Sequence, residues 1–176
     1  MRFFKIHHPI ESDDPHLIEE YYRERFYGGV TILALVITFL FSGESFTSTT
    51  VFSTILLTTL GLWLAGVFAS VVSARIVHKS QKMQDQRIRK TLIAHRGILK
   101  SGVVPLIFVG LSIFIDILDL KTALVLVLLI SFLRASFTVI DAFIKSDRHF
   151  LLNTISFILQ ILAIGVIIFL KVASEK

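Results

Sequence analysis

The residues best placed to do chemistry are Ser131, Arg134, Thr138, Asp141 and Lys145, spaced 3, 4, 3 and 4 apart in an otherwise apolar run. At about 100° per residue a helix carries them in one stripe roughly 80° wide. The opposite side, with Leu126, Leu129, Phe132, Leu133 and Ile140, is apolar. A charge near mid-bilayer costs about 2.5 to 3.5 kcal/mol on insertion scales, so the stripe must face protein or water. Facing protein, such groups hold helices together, at about 0.6 to 2 kcal/mol per contact. Facing water, they line an ion or anion pathway. The next apolar run offers a counterpart: Asn153, Ser156 and Gln160 are spaced 3 and 4, with the small Ala163 extending their face. Arg134 lies 11 residues before Lys145, and Gln160 lies 11 after His149, which sets the two at similar depth. Arg134 is expected to bond Gln160 or a carboxylate.

Other chemistries find little support. The chain has no cysteine, which excludes disulfides, thiolate metal sites and thiol nucleophiles. His7, His8, Glu11, Asp13, Asp14 and His16 cluster near the N-terminus, but their spacing matches no closed tetrahedral site, and a solvated tail is expected instead of a metal site. No Ser-His-Asp pattern, phosphate loop, HExxH or CxxC is present. Neither an enzyme nor a cofactor is expected. Asp116 and Asp119, with Ser112 a turn earlier, mark a water interface.

The elements that must position the stripe follow from composition. Of 176 residues, 54% are hydrophobic and 18% charged, and the mean hydropathy is +0.78. A soluble domain carries about a quarter charged residues. Here the charges fall in blocks, separated by apolar runs near the 17 to 25 residues, roughly, that cross a bilayer. The expectation is an all-α polytopic membrane protein with five transmembrane helices, at about 26–41, 50–74, 102–118, 122–144 and 150–170. Helices are required because an open strand edge cannot be hydrogen-bonded in lipid. Residues 1–25 read as a cytoplasmic tail and lead-in helix, with Asp14 as N-cap and Pro15 at the first helical position. Residues 26–171 form one membrane domain and 172–176 a short tail. Lysines and arginines alternate between dense and sparse loops, placing the N-terminus in the cytoplasm and the C-terminus outside. The N-terminus has no apolar stretch of the cleavable-signal type, so the first span acts as its own insertion signal.

Span two carries Gly61, Ala65 and Ala69 at intervals of four, and Gly66 with Ser70 makes a second small strip. Such spacing lets helix backbones approach, within the chain or at an oligomer seam. The loop 75–100 holds Arg75, Lys79, Lys82, Arg87, Arg89, Lys90, Arg96 and Lys100 against the single acidic Asp85. It is expected to lie along the cytoplasmic leaflet, each basic residue near anionic lipid contributing about 1 kcal/mol. No aromatic residues interleave with these charges, so nucleic acid is not an expected partner. Membrane lipids and further copies of the chain are.

FYGGVTILALVIT in span one and LWLAGVFASVVSARI in span two resemble motifs of small uncharacterised bacterial integral membrane proteins. More distantly, the five-span plan, with G-x-T in span one, a small-residue span two and a charged loop after it, resembles the vacuolar iron transporter family. That resemblance, over about the first 100 residues, implies a dimer with an ion path between protomers. The family's Asp before the first glycine is replaced here by Tyr27 or Gly28, and span two has no Glu or Met ligands. Topology is therefore the only property the resemblance implies, with no metal ligand. A channel or transporter in a bacterial inner membrane is one expected role. A structural or scaffold protein using the basic loop is the other.

Overall fold

The computed structural model describes residues 14–42, 45–77, 80–115 and 118–145, with side chains as far as Arg134. Four helices make up these residues: α1 (Pro15–Phe41), α2 (Ser48–Val77), α3 (Gln81–Phe114) and α4 (Leu120–Lys145). No strand occurs among the described residues. Three of the four, α1, α2 and α3, are long and apolar enough to cross a membrane. The chain is an all-helical membrane protein. The fifth expected span, 150–170, lies outside the described residues.

Helix starts follow local chemistry. Asp14 caps α1 as expected: its Oδ1 accepts from the His16 N–H at 3.1 Å, and its carbonyl accepts from Ile18. Thr47 caps α2, its hydroxyl accepting from the Thr50 N–H at 3.2 Å. Asp119 caps α4; a hydrogen bond from Thr122 holds its carboxyl below the usual carboxylate value.

The lead-in is helical as expected, and with the first span it forms one unbroken helix of 27 residues. One expectation is corrected: the segment 75–100, read as a loop along the leaflet, is mostly helix, because Gln81–Phe114 is continuous over 34 residues. The reason is a buried stripe that runs through the change from charged to apolar sequence: Thr91, His95, Ile98, Gly102, Pro105 and Val109 recur at steps of three and four and are all buried. Arg87, Arg89, Lys90, Arg96 and Lys100 occupy the exposed remainder. At about 1.5 Å per residue α3 is about 51 Å long, against a hydrocarbon core of about 30 Å. Its charged half can therefore continue as helix beyond the membrane.

The chain divides into two compact units. The second comprises Val30–Leu56 and the residues from Val104 onward. Its core is Ile32 and Val36 of α1, Val51 and Ile55 of α2, Val109 of α3, and Leu124 and Val127 of α4. Ring packing of Phe39 on Phe46, edge to face at 4.9 Å, adds to it. The first comprises residues 14–29 with Leu57–Val103 and contains the polar cluster described next.

Candidate functional site

Within the first unit, α1 and α3 approach until backbone meets backbone. A Cβ added at Gly97 would lie 2.5 Å from the Tyr21 carbonyl oxygen and 2.8 Å from the Arg25 nitrogen. One added at Gly66 of α2 would overlap the imidazole of His95. Three helices thus close around His95, which is 4% exposed.

The hydrogen bonding of His95 defines its chemistry. Nδ1 lies 3.0 Å from the Thr91 carbonyl oxygen. A carbonyl only accepts, so Nδ1 carries the proton. In the neutral ring Nε2 is then an acceptor, yet it faces Glu24 Oε2 at 3.8 Å. Two acceptors repel. The contact is favourable when one further proton is present, on the imidazole or on the carboxyl. A buried imidazole and a half-buried carboxylate thus face each other across α1 and α3.

The pair ends a chain of charges on one side. Glu24 Oε1 meets Arg23 at 3.4 Å, Arg23 meets Glu20 at 3.9 Å, and Glu20 meets Arg87 at 3.9 Å. A turn further toward the N-terminus of α1, Lys90 donates to Asp14 Oδ2 at 2.7 Å. That bond, with the His16 N–H, holds the Asp14 carboxyl below its usual value. On the α2 side His95 meets Gly66, which carries no charge. Two buried donors in the same unit, Tyr21 O–H and Trp63 Nε1–H, have no hydrogen-bond partner, where burial without a partner costs about 1 to 3 kcal/mol. Lys100 Nζ stands 5.6 Å from the Tyr21 ring centre, within reach of a cation–π contact.

The residues singled out by sequence are distributed differently. Of the stripe on α4, Ser131 is half-buried and Arg134 exposed, and Thr138, Asp141 and Lys145 lie in helical backbone. Ser131 continues the register of Leu124 and Val127, the face α4 buries, whereas Leu129, Phe132 and Leu133 are exposed. The side chains of Thr138, Asp141 and Lys145, and all of Asn153, Ser156 and Gln160, lie outside the described residues. Gly61, Ala65 and Ala69 are exposed, with open space at Gly61. The close approach on α2 occurs on the other small strip, at Gly66. Of the basic residues, Arg87 and Lys90 turn to the acidic face of α1, while Arg75, Lys82, Arg89, Arg96 and Lys100 are exposed. Lys79 lies outside the described residues.

The sequence placed Glu24 on the lead-in helix and His95 in the basic loop, with nothing to link them. The signal available was the spacing of Thr91, His95, Ile98 and Gly102, which continues the helical period of the following span. No family model, curated protein or solved structure matches this chain.

Proposed function

We propose that this protein moves protons across the membrane, alone or coupled to a small solute, and that Glu24 and His95 take up and release them. The observation that supports this reading is the orientation of His95: with Nδ1–H held by Thr91, Nε2 points at the Glu24 carboxylate 3.8 Å away. Histidine changes charge between about pH 5 and 8, and the pair lies toward the cytoplasmic end of the spans, where a relay would meet water. Glu24 connects to aqueous solution through Arg23, whose side chain is 68% exposed. The orphan donors on Tyr21 and Trp63 suit water or a solute that accepts hydrogen bonds.

The finer architecture belongs to the same proposal: five spans, N-terminus cytoplasmic, C-terminus outside, in a bacterial inner membrane as a homo-oligomer, with anionic lipid at the cytoplasmic face. The basic residues of 75–100 support that orientation. A second reading, a non-transporting scaffold, is favoured by the outward Lys82, Arg89 and Arg96 on α3.

The test is proton flux in liposomes carrying the purified chain, an internal pH dye and an imposed potassium diffusion potential. The wild type is expected to exceed protein-free liposomes. Glu24→Gln and His95→Asn are each expected to lower flux about tenfold, the equivalent of about 1.4 kcal/mol in barrier height, with helical content unchanged. Wild-type flux at the background level, or flux in both variants equal to the wild type, sinks the reading.

A further inference from the structure

A cleft between the C-terminal end of α2 and the N-terminal end of α3 has a volume of about 550 Å³. It is lined by Ser70, Ser73, Ala74 and Val77 of α2 and by Met83, Gln86, Arg87 and Lys90 of α3. Specific small-ligand sites commonly enclose about 300 to 1,000 Å³.

We infer that this cleft binds the phosphate of an anionic phospholipid. Two serine hydroxyls, an amide, a guanidinium and an ammonium converge there, and all can donate to phosphate oxygens. Arg87 and Lys90 already meet Glu20 and Asp14, yet their side chains remain 55% and 53% exposed. Guanidinium carries five N–H donors and ammonium three, so one ion pair leaves donors for a ligand. The flank is apolar. Val77 of α2 and Met83 of α3 line the cleft and are exposed, where they can lie against acyl chains. Arg75 marks the end of the apolar run of α2, which puts Ser73 and Ala74 at headgroup level. A soluble phosphate compound would gain nothing from that apolar flank. Basic pockets between transmembrane helices on the cytoplasmic side are known lipid-headgroup sites.

The experiment uses the full chain in neutral detergent, titrated with phosphatidylglycerol, phosphatidylcholine or inorganic phosphate and read by native mass spectrometry and thermal midpoint. Phosphatidylglycerol is expected to bind one per chain, at least about tenfold more tightly than phosphatidylcholine, a difference of about 1.4 kcal/mol. Inorganic phosphate is expected to compete only weakly. Arg87→Gln with Lys90→Gln should abolish the preference. Arg89→Gln with Arg96→Gln, the same charge loss outside the cleft, should preserve it. Ser70→Ala with Ser73→Ala leaves every ion pair in place and should weaken binding several-fold, which keeps the proposal testable if the charge variant does not fold. Equal loss in the two charge variants overturns the cleft in favour of diffuse attraction. Saturation by inorganic phosphate as readily as by lipid overturns the lipid assignment.

Discussion

His95 is held by three neighbours, and each makes a different demand on it. Thr91 fixes the ring tautomer, Glu24 supplies the opposing acceptor, and Gly66 leaves room for the ring edge. Gly66→Ala should therefore displace the imidazole and cost about 1 to 3 kcal/mol, as overpacking does. Gly61→Ala, five residues earlier on the same helix, meets open space. It should be neutral or stabilising by up to about 1 kcal/mol, since glycine is the poorer helix former. Thermal unfolding in detergent compares the two, and equal destabilisation would contradict the packing described. Asp14 gives a pH-dependent counterpart. Its folded-state pKa is lowered, chiefly by the Lys90 hydrogen bond. The native state then binds fewer protons than the unfolded one, so stability from this group is complete above the unfolded value, about 3.9. It is lost as pH falls through the lower folded value. The difference in thermal midpoint between wild type and Asp14→Asn should be present at pH 7 and close in the acid range below about pH 4.

At the scale of elements, α3 joins two chemistries on one helix. Its buried stripe continues from Thr91 to Val109 while its outer face changes from basic to apolar. Pro105 lies inside it and removes the hydrogen bond to the Ser101 carbonyl. The contact that ties α3 to α1 is at Gly97, where a methyl group would press on backbone atoms with no flexible end to move aside. Gly97→Ala should thus destabilise by about 1 to 3 kcal/mol or more and exceed Gly61→Ala clearly in the same assay. The cap of the first helix was legible in sequence: Asp14 and Pro15 sit where their chemistry requires. The helical state of 81–100 was obscured by its charge density, which imitates a solvated loop whenever the narrow buried stripe beneath it is overlooked.

For the whole molecule, membrane residence organises everything else. The exposed face of α2, with Leu57, Leu64 and Phe68, suits lipid or another protomer. Under the homo-oligomer proposed above, Ala65→Leu should lower the oligomer fraction in cross-linking from native membranes, because a large side chain on the exposed small strip keeps helices apart. An unchanged fraction would remove α2 as the seam. The chain has no native cysteine, so single cysteines report topology directly. With the N-terminus inside and five spans, Ser80→Cys and Lys176→Cys should label from opposite sides of the membrane. Labelling from the same side would rule out that odd-span arrangement.

The sequence by itself determined the class of protein and most helix positions. Apolar runs of bilayer length leave the backbone one way to satisfy its hydrogen bonds, and Asp14 marks where the first helix begins. Only the tertiary structure decided that Glu24 and His95, 71 positions apart, face each other. The cause is the packing of Gly66 and Gly97, which draws three helices close enough to bury an imidazole. No local pattern encodes which helix faces meet, so a charge read as solvated from its neighbours in sequence became a buried partner in space.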